Sequence, residues 1–222
     1  MTSSLSDLLN ARFSCRAFLD KQVPKETISE ILTRAQRTPS WCNTQPWQLV
    51  ITTGKETEDF RKAFDEHLTQ NADPLPDIPF PKEYRGIYLD RRRESGFQLY
   101  DSLGIAKGDR EAYARQTRQN FLFFGAPHVA IITTPEELGT YGAVDCGAYI
   151  AVFTLAAQDL GVSTIPQAAL ANFSPFIRDY FKIPIGRLIV AGISFGYADH
   201  AHPANNFRTN RAPIGSVVEW IG

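Results

Sequence analysis

Net charge is the first thing this sequence lacks. Its 23 lysines and arginines are offset by 24 aspartates and glutamates, leaving a formal −1. Without an overall positive field the chain has no general hold on a polyanion, so a dedicated nucleic-acid binder is excluded and any anion must be gripped locally. Cysteine is equally sparse. Cys15, Cys42 and Cys146 form neither the even set of a disulfide framework nor a closely spaced ligand pair, and they read as ordinary thiols of a reducing cytoplasm. His200 and His202 have no third ligand at a characteristic spacing, so no metal site is expected. Long apolar runs are missing as well: Gly147 to Ala157 falls well short of the roughly 20 residues a bilayer span needs, and Asp145 and Asp159 flank it. Met1 to Leu9 has neither the basic nor the apolar region of a signal peptide. Membrane insertion and export are not expected. No G-x-G-x-x-G follows a strand and no G-x-x-x-x-G-K-[ST] occurs, so a nucleotide would be held without either device.

What is present suffices for one substantial core, with 222 residues of which 43% are hydrophobic, no internal repeat and no linker between separate cores. One domain over residues 1–222 is expected. Ile28, Ile31, Leu32 and Ala35 have the spacing of a buried stripe and predict a helix from Pro24 to Arg37. Trp47 to Thr53 reads as a strand closed by Gly54, followed by a charged helix from Glu56 to Thr69. Pro74, Pro76, Pro79 and Pro81 force an irregular loop over Asn71 to Arg85. Helices over Arg91 to Leu103 and Arg110 to Phe124 then lead through Gly125-Ala126-Pro127 into a strand at His128 to Thr133. Asp145 to Leu160 predicts a helix apolar nearly all round, which must be covered on every side, at the domain centre and at a subunit interface. Strands at Val162 to Ile165 and Leu188 to Phe195, with a helix at Pro175 to Lys182 between them, leave the class as α+β or α/β. From Gly196 on, no clear period appears before Val217-Val218, and such a tail needs something to lie on.

Several residue groups could carry chemistry. Arg12, Ser14 and Arg16 alternate with Phe13, Cys15 and Ala17, so an extended chain puts two guanidiniums and a hydroxyl on one side, a grip of phosphate size. A solvated edge strand is the plainer explanation of that spacing. Pro39-Ser40-Trp41-Cys42-Asn43-Thr44-Gln45-Pro46-Trp47 interleaves short polar side chains with two indoles, suiting a flat heterocycle with a hydroxylated chain, or else a simple helix-to-strand connection with two core tryptophans. Asn206, Arg208 and Arg211 sit in the tail, able to close on the same anion or stay in water. Gly192-Ile193-Ser194-Phe195-Gly196 matches the G-x-S-x-G nucleophile elbow of serine hydrolases. No helix can follow it, however, and only Asp199, His200 and His202 remain downstream, so the match reads as chance and the glycines as close packing. Cys42 has no activating base nearby in sequence.

The order of these pieces matters: Arg-Ser-Arg near the start, the Pro-Ser-x-x-Asn-x-Gln-Pro-Trp loop, an apolar helix, a strand ending Ile165-Pro166-Gln167-Ala168, and an arginine tail. From Leu8 to about Trp220 the chain resembles the FMN-dependent nitroreductase family. The resemblance implies an α+β, three-layer fold with a mixed, mostly antiparallel sheet flanked by helices, in an interlocked homodimer with FMN at the interface. It also implies that Arg12 and Ser14 take the FMN phosphate with Arg211 and Arg208, that Arg16 approaches the pyrimidine edge, and that Ser40, Asn43 and Gln45 line the cofactor, some from the partner subunit. Pro166, Gln167, Ala168 and Ala169 would run beside the ring, offering backbone amides near N5; many members have proline-x-glutamate-glycine there, a departure that leaves the backbone contact possible and puts a glutamate role in doubt.

The implied activity is hydride transfer from NADH or NADPH through flavin N5 to a nitroaromatic or quinone, by a ping-pong mechanism with no catalytic side chain and solvent as proton source. Trp41 and Phe124 are the candidate substrate residues for a small aromatic. Tyr84 and Tyr88 would join them at the mouth, and Arg85 or Arg91 to Arg93 could attract a carboxylated aromatic. Rival expectations are other flavin chemistry of the same family, such as reductive dehalogenation or flavin cleavage, a flavin binder without turnover, and, distantly, a hydrolase at Ser194.

Overall fold

The computed structural model describes residues 4–70 and 73–222. Expectations that touch Met1 to Ser3, or Asn71 and Ala72 at the start of the proline-rich loop, lie outside the described residues. Four strands build the sheet: β1 (Gln48–Thr53), β2 (His128–Pro135), β3 (Ser163–Gln167) and β4 (Arg187–Gly196). Their order is β1-β2-β4-β3, with every pairing antiparallel. The mixed character expected of the sheet is confined to a parallel bridge from Ser14 to Thr164, which lays the N-terminal segment along β3.

Side-chain alternation in β2 builds two cores, one on each face. Ala130 and Ile132 face a cluster with Ile31, Tyr149, Phe153, Ile193 and Phe195. Val129 and Ile131 face the other, with Phe60, Phe64, Phe123, Leu170 and Ile189. The first face is covered by α2 (Lys25–Ala35) and α6 (Gly139–Asp159), the second by α3 (Lys55–Thr69) and α7 (Ser174–Phe181). Helix, sheet and helix thus form the three layers of an α+β fold.

Most elements fall where periodicity placed them, and the departures have physical causes. A first helix, α1 (Leu5–Ala11), was not expected. It carries a capping box, Ser4 Oγ accepting from Asp7 N while the Asp7 carboxylate accepts from Ser4 N, but buries none of its residues, so it left no apolar stripe. Helix α4 runs over Gly86–Ser102, so Arg91 to Arg93 lie within it rather than at its start. Helix α5 stops at Arg118 instead of reaching Phe124, because Phe123 and Phe124 take left-handed φ of 57° and 52° that no continuing α-helix can contain. Strand β3 continues through Pro166, which an edge strand tolerates because no ladder bond is needed on its outer side.

Helix α6 begins at Gly139, not Asp145. With the turn before it, the helical run Glu136–Asp159 is long and apolar enough to cross a membrane by length and composition, which the shorter stretch counted from sequence was not. Its Cys146, Tyr149, Phe153 and Ala157 are buried against the sheet. Tyr141 and Val144, each 58% exposed, begin an uncovered apolar stripe on its other side.

Ser194 is fully buried within β4, with Oγ donating to Gln167 Oε1, and among the described residues no α-helix follows it. No nucleophile elbow exists there, which removes the hydrolase. A Cβ on Gly192 would come within 2.4 Å of Leu170 and one on Gly196 within 2.6 Å of Pro127, so both glycines serve close packing.

His128, 1% exposed, accepts from Val23 N at its Nε2 (2.9 Å), places Nδ1 3.3 Å from Thr52 O and stacks on Phe195. Burial lowers its pKa, against a smaller opposing effect of the Thr52 carbonyl. A histidine depressed in the folded state stabilises the fold above its unfolded value of about 6.5. That stability is lost as pH falls through the lower folded value. Urea unfolding across a pH series should therefore show stability declining below about pH 6.5. The His128→Gln variant, less stable at neutral pH, should lose that part of the slope.

Candidate functional site

The alternation at the N-terminal segment is realised. Phe13, Cys15 and Ala17 are buried, at most 9% exposed, while Arg12, Ser14 and Arg16 stay partly open on the other side. The backbone is held straight by Cys15 N donating to Thr164 O at 3.0 Å. Asn205, which the sequence reading did not single out, fixes the next turn: its Oδ1 accepts from Arg16 N (2.7 Å) and its Nδ2 donates to Ala17 O and Asp199 O (2.8 Å each). The first part of the tail therefore lies on its own chain. Asparagine in a polar loop gives no sign in sequence of such a role.

That lock brings the two arginine groups together. Arg208 lies over the Phe13 ring, 4.0 Å from its centroid, and donates to Asn205 O. Arg16 lies over Phe207 at 5.4 Å and donates to Ser14 O. Arg211 is tied back to Thr209 Oγ1 at 2.9 Å. A cavity of about 340 Å³ is lined by Arg12, Ser14, Arg16, Arg208, Thr209 and Arg211, among others. Among the described residues, none of the salt bridges involves any of these four arginines. Burial, and then the charge of Arg211, lower the Arg12 pKa; burial does the same to Arg16. Four guanidiniums converging without a carboxylate form an anion site, with forked donors that match a phosphate.

Arg16 also borders a second cavity, of about 530 Å³. Leu103, Ile105, Ala112 and Phe124 give it apolar walls, and Gln116 and Gln119 on and just after α5 supply amides. The glutamines were missed because a polar helix face ordinarily means solvent. The two cavities, which share Arg16 in their linings, suit a ligand with an anionic head and a flat, largely apolar body whose edge takes hydrogen bonds. A larger groove of about 980 Å³ between α4 and residues 209–217 shares Ser95, Thr209 and Arg211 with the anion cavity.

Strand β3 is bridged to Ser14, but Pro166, Gln167, Ala168 and Ala169 line neither of these two cavities. Pro166 and Ala168 are exposed and Ala169 partly so. Gln167 is 3% exposed, its amide donating to Asn120 O (2.7 Å) and its carbonyl accepting from Ser194. Its side chain is thus committed to the core, and only the backbone of this stretch can face a ligand. Ser40, Asn43 and Gln45 border neither the anion cavity nor the second one. Their loop is tightly built: Ser40 Oγ accepts from Gln45 N (2.9 Å), and Gln36 donates to Gln45 Oε1 while accepting from Trp47 Nε1 (3.0 Å each). Trp47 is core, but Trp41 is 57% exposed, its ring 4.5 Å from that of Tyr141. Within one chain, then, Trp41 and Phe124 do not share a cavity, contrary to their expected pairing at one mouth. Tyr84 and Tyr88 are exposed, Arg92 lies over the Tyr84 ring, and Arg85 pairs with Glu83. Burial pushes the thiols of Cys15 and Cys146 up to about 11 and about 12, so neither is a ready nucleophile at neutral pH.

Asn205→Ala removes three hydrogen bonds and leaves buried partners unsatisfied, and it should lower unfolding free energy by about 2–4 kcal/mol in urea titrations.

The model of the "Nitroreductase family" matches residues 9–197. A 4-nitrobenzoate reductase of Nocardioides sp. (strain LMS-CY) is 33% identical over 219 residues, covering 96% of this chain and 88% of that protein. A 4-nitrobenzoate reductase of Pseudomonas putida is 32% identical over 223 residues, covering 100% and 97%. The crystal structure of the FMN-dependent nitroreductase NfnB from Mycobacterium smegmatis in complex with NADPH superposes with a TM-score of 0.92 at 29% identity, covering 98% of this chain and 97% of that one.

Proposed function

The chain belongs to the nitroreductase family, and from that premise we propose that it is an FMN-dependent oxidoreductase that uses NADH or NADPH to reduce nitroaromatics or quinones. The observation that carries this reading is the anion cavity, in which guanidiniums from both ends of the chain face one another without a counterion. The cavity's donor set fits the phosphate of FMN, and the half-apolar cavity beyond Arg16 fits a flat ring system. Arg12, Ser14, Arg208 and Arg211 would hold the phosphate, and Pro166 to Ala169 would present backbone along the ring. The chemistry that FMN supplies there when bound is two-electron transfer, hydride in from the nicotinamide and electrons out to the acceptor.

The protein's part is binding, orientation and electrostatics. Arg16, fixed by Asn205 and partly desolvated, puts a positive charge at the junction of the two cavities, where it favours negative charge that accumulates on reduction. Gln116 and Gln119 can hydrogen-bond a polar ring edge, while Phe124, 6% exposed, offers apolar cover. No side chain is assigned as acid or base, and the proton comes from solvent.

The functional unit in this reading is a homodimer of single-domain chains in the cytoplasm. Support comes from the apolar surface one chain leaves open. On α6 it begins with Tyr141 and Val144, and in the tail Ile214, Val217, Trp220 and Ile221 are 68–93% exposed. A second copy covering those surfaces would also bring its Ser40, Trp41, Asn43 and Gln45 to the cofactor, which they do not reach within their own chain. Sedimentation velocity should show a dimer, and removal of residues after Pro213 should weaken it.

The purified protein should be yellow and release FMN on denaturation, and it should oxidise NAD(P)H with a nitroaromatic under anaerobic conditions. A colourless protein that takes up no FMN overturns the reading. Arg12→Ala combined with Arg211→Ala should cost roughly a hundredfold or more in FMN affinity, since each charge-assisted contact is worth about 1.5–3 kcal/mol.

A further inference from the structure

The loop from Ser40 to Gln45 is conformationally expensive. Cys42, Asn43 and Gln45 all have left-handed φ, at 48°, 57° and 47°, and none is glycine. Three such residues in four positions persist only where the surroundings over-determine the backbone. Part of that constraint is local, through Ser40 Oγ and Gln36. At its far end Arg187 donates to Pro46 O at 2.9 Å. At the near end stands Asp145 of α6. Its carboxylate is 9% exposed, forms none of the salt bridges among the described residues, and accepts from Trp41 N with both oxygens at 3.2 Å. A buried carboxylate without a cation is costly, and an apolar residue would serve packing better. The contact that accounts for it is the one to the loop.

We propose that Asp145 is a positioning residue of the cofactor site, anchoring Trp41 N so that the following strained turn presents Ser40, Asn43 and Gln45 in one fixed arrangement. This rests on the assignment of those three residues to FMN. Asp145 touches neither cofactor nor substrate; it acts through the loop. The same anchor sets the Trp41 ring against Tyr141, so the loop's orientation follows from the helix that crosses the domain centre.

Cys42 supplies a readout that needs neither activity nor cofactor. It is the one exposed thiol, Cys15 and Cys146 being buried, so its rate of reaction with a disulfide reagent in FMN-free protein reports how well the turn is held. FMN affinity by fluorescence titration and the melting temperature complete the set. Asp145→Ala should weaken FMN binding roughly tenfold, the worth of one charge-assisted hydrogen bond, and speed Cys42 labelling while the melting temperature changes little. Asp145→Asn, which keeps an acceptor oxygen, should restore most of both. If the alanine variant does not fold, Asp145→Val, nearer in volume, carries the same comparison. Unchanged FMN affinity and labelling in Asp145→Ala or Asp145→Val, alongside lost FMN binding in Arg12→Ala/Arg211→Ala, would overturn the role of Asp145 and leave the cofactor reading standing. A melting temperature that falls in parallel with both readouts, without rescue by asparagine, would reduce Asp145 to a structural residue. Wild-type protein that binds no FMN defeats the cofactor reading and this inference with it.

Discussion

The site is organised around one polar side chain, that of Asn205, which bridges Arg16 N to Ala17 O and Asp199 O. It acts together with Asp199 N donating to Ala17 O, Leu19 N donating to Tyr197 O and the small buried cluster of Phe13, Cys15 and Ala198, which hold the N-terminal segment against the start of the tail. With it, like charges that repel are held within one cavity of about 340 Å³. Repulsion of that kind is eased because three of the four guanidiniums are engaged elsewhere: Arg208 and Arg16 lie over aromatic rings, and Arg211 is drawn to Thr209. The arrangement is preorganised for an anion.

The sheet provides the rigid side of the same place. Strand β3 is an edge, met on its outer side at Thr164 by the N-terminal segment, and Pro166 within it has no ladder bond to lose. What keeps this edge from shifting is behind it, where Gln167 joins Asn120 to Ser194 of β4. A glutamine there is a fastening for the backbone, and the exposed positions around it, Pro166 and Ala168, are the ones free to meet a ligand.

Sequence periodicity reached the helices that bury a stripe and the strands that alternate, because burial on a repeating face is what writes those patterns. It failed where a helix buries no face within its own chain or where the backbone turns on itself. Helix α1 buries nothing in its own chain, and only its capping box betrays it. Helix α5 was overrun because Phe123 and Phe124 are as apolar as a helix continuing into the core, and left-handed φ is invisible in residue type unless glycine marks it. The arginine alternation was legible, as it follows from the strand period. That the tail's arginines would join it followed from the family resemblance and not from their spacing, since the joining contact is a lone asparagine among other polar residues. Gln116 and Gln119 stayed hidden for the same reason: an amide on a polar helix face looks identical whether it meets water or a ligand.

A last constraint links the fold to its assembly. Helix α6 has two apolar sides and the sheet covers one. Burying Tyr141, Val144 and the stripe below them returns about 25 cal/mol for each Å² removed from water, a strong drive for a surface with few charges to give it another partner. The loop carrying Ser40, Asn43 and Gln45 is anchored to that same helix through Asp145. Whatever docks on the open side of α6 therefore docks beside this loop, and a second copy does so twice, once for each chain, by the reciprocity of two-fold symmetry. In the proposed homodimer, binding of the cofactor and association of the chains would be coupled through one helix, each favouring the other by the same factor, since both would draw on the one arrangement of the loop.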